Sequence, residues 1–296
     1  MKKRSTNFNP IIIDKLKEFE TDNDFMVTLS FEKNLNDMEY LKKAYNKYSG
    51  FKVLEANYNI LADNFQKNYH KILKNLEQKE KLPFIYSYGR TIPLMARLIN
   101  FYHVNEFLNN LPFKANISDK LLKPIISYGS FPNFHVSRST HGWFAPSTKS
   151  NCIINYIINK GYSSFYHEYT HYLDFTLGVY IADEQSKDFT YLSGKNRGEL
   201  SAVVEKIINH YLNSKSFERF NKKILSKLSP ARIKYYTSKE EIFARCGSSF
   251  FRDCDANFFN LRTNLYRDDE FSNDKDKEKN HKLFLELVNI IKKQIK

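Results

Sequence analysis

The sequence predicts an α+β fold, predominantly helical with a small sheet, and three observations carry that prediction. Apolar residues recur at alternating threes and fours in several stretches, the mark of helices with one buried stripe. One short run, Cys152 to Ile158 (CIINYII), is β-branched and of strand length. Lys114 to Ser150 carries Pro124, Gly129, Pro132, Gly142 and Pro146, a density of breakers that fits loops and short strands.

Taken in chain order, Val53 to Leu76 places Leu54, Tyr58, Leu61, Phe65, Tyr69, Ile72 and Leu76 on one helical stripe. After breakers near Pro83 and Gly89, Ile92 to Leu111 reads as a second helix, so the first part of the chain is expected to be helical. IYSYG at 85 and ISYGS at 126 share too little to count as a repeat. Gly161 precedes a helix over Ser163 to Leu177, and Glu199 to Leu212 follows with Leu200, Val203, Val204, Ile207, Ile208, Tyr211 and Leu212 expected to face inward. Phe217 to Leu228 is helical until Pro230 stops it, and Ser238 restarts a helix to about Phe250. Asp268 to Lys279 is charged and reads as a linker before a closing helix, His281 to Ile295. The expected organisation is a helical N-terminal region over 1–120, a central domain over 121–267, and a linker with a C-terminal helix over 268–296.

Composition narrows the classes of function. At 296 residues the chain can bury a large core without disulfide or metal staples. Its three cysteines form no CxxC pair and leave an odd thiol, which fits a reducing compartment. The basic start is followed only by Pro-Ile-Ile-Ile before Asp14, too short for a signal-peptide core, and no stretch reaches the roughly 18 apolar residues of a membrane helix. A cytoplasmic protein without a membrane span is expected. The net charge is +13, and the densest basic segment, Arg219 to Lys239, contains no acid. It is either a solvated helix face or a surface for an acidic partner or nucleic acid.

The stretch FYHEYTHYLDF, Phe165 to Phe175, carries the chemistry. A helix turns about 100° per residue, so His167 and His171 lie within about 40° of each other and can turn both imidazoles toward one ion. Phe165, Tyr169, Tyr172 and Leu173 form the apolar side, which sets the histidines apart from the strongest core face. A catalytic zinc takes three protein ligands and leaves one position to water, so a third ligand is required. The places where the long metzincin pattern has Gly and His hold Asp174 and Leu177, which excludes that class. Asp174 lies about 10 Å along the helix from His167, too far to share one ion, and is assigned a supporting role. His210 flanks a buried stripe, where a hydrogen-bonded core histidine is the usual case. Glu241, in KYYTSKEEIFARCGSSFF, shares a small-residue stripe with Ala244 and Ser248. Ser238 and Glu241 also form an S-x-x-E capping box, and on these residues alone the box is the preferred reading.

HEYTHYLDF resembles the HExGHxxD motif of zincins similar to anthrax lethal factor and to the metallopeptidase-like domain associated with large phage polyvalent proteins. EIFAR, Glu241 to Arg245, matches the later helix that carries the glutamate ligand in those groups. The resemblance covers about Trp143 to Phe251, and it reverses the reading of Glu241 from cap to ligand. Thr170 departs from it where glycine is common, a change expected to tighten packing against the preceding strand. The resemblance implies a zincin-like domain with an HExxH active-site helix, and a zinc metalloendopeptidase of phage, mobile-element or toxin-like character, delivered in some cases into another cell. Zn²⁺ would be held by His167, His171 and Glu241, and Glu168 would act as general base on the attacking water. Tyr235 or Tyr236 would donate to the oxyanion, with Tyr236 favoured by analogy to the family. Protein or peptide substrates would pair with an exposed edge at His141 to Pro146 or with the CIINYI strand. The other class of reading is a zincin-shaped module without activity, working as a nucleic-acid-associated or host-interaction protein through the basic segment.

Overall fold

The computed structural model describes residues 82–88, 104–105, 107–115, 117, 121–129, 142–156, 163–181, 191–195, 198–254, 271 and 274–295. The stripe of Val53 to Leu76 lies outside these residues, as does most of Ile92 to Leu111; positions 104–105 and 107–109 of the latter are helical.

Four short strands form one mixed sheet: β1 (Ile85–Tyr88), β2 (Ile125–Tyr128), β3 (Gly142–Ala145) and β4 (Ile153–Tyr156), in the order β1-β2-β4-β3. β1, β2 and β4 run parallel, and β3 pairs antiparallel with β4. The two similar segments set aside as a non-repeat are neighbours here, with Ser87 opposite Ser127 and Tyr88 opposite Tyr128. Their likeness reflects a shared strand environment. β1 precedes position 120 and its partner follows it, so the division expected at that point cuts through a strand pair. Phe107 crosses the same boundary, its ring 5.6 Å from Phe165 and 5.3 Å from Tyr169.

The helices follow as α1 (Ser163–Ile181), α2 (Gly198–Leu212), α3 (Lys215–Lys223), α4 (Pro230–Tyr236), α5 (Lys239–Cys254) and α6 (Asp274–Gln294), with 3₁₀ turns at Leu192–Gly194 and Leu225–Lys227. Pro230 does more than stop the preceding helix. It occupies the first turn of α4, where its missing N–H costs nothing and its fixed φ suits a helix start. The charged run before His281 is likewise helical from Asp274 rather than a linker to Lys279, with Lys282 paired to Glu278 at 2.8 Å on one exposed face. On the other face Phe284, Leu287, Val288 and Ile291 are buried, and Phe284 stacks on Phe243 and Phe250 of α5.

α1 is central rather than amphipathic. Between 164 and 181 only His167, Tyr180 and Ile181 escape full burial. The sheet covers one side of it, where Phe144 meets Tyr172 and Phe175, and α5 covers the other. A helix wrapped on all sides is apolar all round, so its sequence shows little periodic contrast. At the α1–α5 crossing, a Cβ on Gly247 would lie 2.3 Å from the Thr170 side chain, so the backbone of α5 approaches because that side chain is absent. Thr170 therefore fills space against α5, and its hydroxyl donates to the Tyr166 carbonyl at 2.7 Å. Among the described residues no helix is long and apolar enough to cross a membrane.

Candidate metal centre

Burial around α1 leaves one polar place between it and the start of α5. His167 and His171 stand one turn apart with ring centroids 4.8 Å from each other and planes at 84°. Glu241, in the first turn of α5, reaches both: its Oε2 lies 3.5 Å from His167 Nε2 and its Oε1 lies 3.3 Å from His171 Nε2. The two Nε2 atoms are 3.2 Å apart. The two contacts run to different oxygens of Glu241, so the carboxylate straddles the histidine pair; counting one donor atom per residue, the three lie within 4.8 Å of one another. These three residues form a group that could hold a metal ion.

The capping box is half made. The Ser238 hydroxyl accepts from the Glu241 amide at 3.4 Å, while the Glu241 carboxylate turns to the histidines instead of back to Ser238. Burial alone would raise the pKa of Glu241, but hydrogen bonds and charge from His167 and His171 hold it well below the usual carboxylate range. Burial depresses His167 most of all, and the hydrogen bond and charge of Glu241 with the charge of Glu168 together outweigh it, for a net upward shift.

Arg245 went unassigned in the sequence, although its i, i+4 spacing from Glu241 was a usable signal. It is 3% exposed, its Nη2 donates to Glu241 Oε2 at 3.4 Å, and its Nη1 donates to the Tyr236 carbonyl at 2.6 Å. The guanidinium also lies over the rings of Phe220 and Tyr236, at 5.0 and 5.2 Å. It thus ties the end of α4 to the carboxylate that faces the histidines.

That tie distinguishes the two tyrosines. Tyr236 packs its ring against Arg245 and Phe220. Tyr235 is the tyrosine on which the Glu241 charge bears, and partial burial together with that charge keeps its hydroxyl protonated. The difference is local, since neighbouring helical residues point about 100° apart and Arg245 captures one of them.

Glu168 is buried beside the histidines and packed under β3. A Cβ on Gly142 would come within 2.8 Å of Glu168 Cγ and 2.9 Å of its Oε1, so the strand passes directly over this carboxylate only because residue 142 has no side chain. Burial raises the Glu168 pKa, and the charges of His167 and His171 offset part of the rise. His141, at the start of the expected substrate edge, lies outside the described residues.

Asp174 does not join the metal group. Its carboxylate accepts from the Ser193 amide at 2.7 Å and from the Ser193 hydroxyl at 2.5 Å, which fastens the 3₁₀ turn to α1. This turn follows Tyr191, whose ring lies 6.4 Å from that of His171 and 5.8 Å from that of Phe175. No spacing in the sequence pointed to Tyr191 or Ser193. His210 is also apart, with its Nε2 2.8 Å from the Asp276 carbonyl and its ring stacked on Phe271.

Fold and site together define an α+β chain with two histidines and a glutamate gathered as a candidate metal centre. No protein-family model, curated protein or solved structure matches the chain.

Proposed function

We propose that the chain is a zinc-dependent peptide hydrolase with a zincin-like site, His167, His171 and Glu241 holding the metal and Glu168 serving as general base. The carrying observation is the convergence of His167, His171 and Glu241, one donor atom from each lying within 4.8 Å of the others, with a second buried carboxylate, Glu168, beside them that is not part of the group. Zinc, when bound, supplies a Lewis acid that lowers the pKa of its water toward about 7.

The chain's own residues account for the rest. Glu168 accepts the proton of the attacking water and returns it to the leaving amine nitrogen, which keeps the proton count balanced across the step. Tyr235, kept protonated near the Glu241 charge, offers an O–H to the oxygen on which negative charge develops. Arg245 donates to Glu241 and holds it in orientation. β3 is the last strand of the sheet, and among the described residues no other strand pairs with its outer side. A peptide extended along that edge gains backbone hydrogen bonds without demands on its sequence, and Gly142 lets it pass close to Glu168.

Metal analysis of the purified chain tests this directly. About one zinc per chain is expected, with loss in His167→Ala. Glu168→Gln should keep the zinc and lower cleavage of an unfolded protein about a thousandfold. A wild type that takes up no zinc would overturn the proposal, and a Glu168→Gln variant without zinc would reassign Glu168 as a ligand.

A further inference from the structure

The basic segment singled out in the sequence folds into one arm: α3, the Leu225–Lys227 turn and α4. The 25 residues 215–239 carry eight Lys and Arg and a single acid, Glu218, leaving a net charge of only +6 for the other 271 residues. Lys222, Lys227, Arg232, Lys234 and Lys239 are exposed. Among the described residues none of the five has a carboxylate partner, unlike Lys206, which meets Glu286 at 2.9 Å, and Lys282, which meets Glu278 at 2.8 Å. The arm ends at the site. Arg245 joins the end of α4 to the site, donating to the Tyr236 carbonyl at 2.6 Å and to Glu241 at 3.4 Å.

We infer that this arm selects the substrate: it docks an acidic stretch of an extended peptide on one side of the bond to be cut, an inference that rests on the hydrolase reading above. Five exposed cations without a carboxylate partner create a local potential that acts over roughly 8–10 Å at ordinary salt, about the length of α4 itself. Carboxylates lie where the arm ends: Glu168 is buried under β3, Glu241 faces the histidines, and Glu240 beside it is half-buried, its Oε1 3.9 Å from the place a Cβ on Gly194 would take. A nucleic acid carries a phosphate at every residue and would set phosphates against these carboxylates along its length. A peptide confines its charge to one flank, with neutral residues over Glu168 and the acidic ones over α4. The charge pattern therefore favours a peptide.

The test uses the full zinc-loaded chain carrying Glu168→Gln, so that binding is read without cleavage. The probes are three fluorescent ligands: an unstructured peptide with a flank of glutamates, its counterpart with glutamines, and an oligo-dT strand. The glutamate peptide should bind about tenfold more tightly than the glutamine peptide, and the difference should shrink several-fold between about 50 and about 200 mM salt. Reversing Arg232, Lys234 and Lys239 to Glu should erase the preference, while reversing Lys292 and Lys293 on α6, the same kind of change at a distant exposed site, should leave most of it. Equal binding of the two peptides, a preference indifferent to the arm, or oligo-dT bound more tightly than the glutamate peptide would each overturn the inference. Glutamate-peptide binding that depends on the arm, joined to a wild type that cuts neither peptide, would strike the hydrolase reading alone and leave the docking surface standing.

Discussion

Glu241 at the start of α5 and Asp174 on α1 are both buried carboxylates, 5% and 0% exposed, yet their surroundings drive them in opposite directions. Glu241 meets two imidazoles and a guanidinium, and its pKa falls well below the usual range. Asp174 meets the amide and hydroxyl of Ser193, which lower its pKa without overcoming burial, and it rises from 3.8 to about 7. At Asp174 the two hydrogen bonds from Ser193 and the charge of His171 do not offset burial, whereas at Glu241 the hydrogen bonds and charge of two imidazoles do. The first arrangement suits a cation, and the second suits a clamp.

The comparison breaks most visibly at Glu241. Glu241→Gln keeps the shape and removes the charge, and zinc affinity in a chelator competition should fall at least about 100-fold. Affinity equal to wild type would remove Glu241 from the ligand set. Next in size is the crossing that holds α1 and α5 together. Gly247→Ala pushes a methyl into Thr170 and should lower stability by about 2–3 kcal/mol in denaturant titrations. Adding Thr170→Gly should recover part of that loss, and strictly additive effects would mean that the two positions do not touch.

Asp174 sharpens the comparison through pH. Its folded-state pKa lies above the unfolded value, so the folded chain binds the proton more tightly. The stability from that proton is complete below about pH 4 and is lost as pH rises through about 7. Wild type should therefore lose about 2 kcal/mol between about pH 5 and about pH 8 from this group. Asp174→Asn, which retains an acceptor for the Ser193 amide, should flatten the slope. Parallel pH profiles would show that Asp174 stays ionised after all. The smallest effect is expected at Ser238→Ala, which removes half a cap: about 1 kcal/mol of stability, with zinc content unchanged.

Much of the site was legible in the chain because its spacing is helical. His167 and His171 follow from i, i+4 alone, and Glu241 from a motif on a second helix. What remained hidden depends on how elements meet. Tyr235 and Tyr236 are indistinguishable in a list of residues, and only the reach of Arg245 from another helix separates them. Asp174 and Ser193 are 19 positions apart, with no periodic pattern to link them. α1 was given one apolar face because a pattern of period 3.6 was sought, whereas a helix enclosed on every side has no exposed face to reveal it. β1 was absorbed into a helical region because its four residues are short beside the helices around it, and a parallel partner 40 positions later leaves no local turn signal.

Thr170 and Gly247 share one small volume between α1 and α5, and that volume cannot be filled twice. The two positions are therefore limited by their combined size: a larger residue at either one is accommodated only with a smaller one across the crossing.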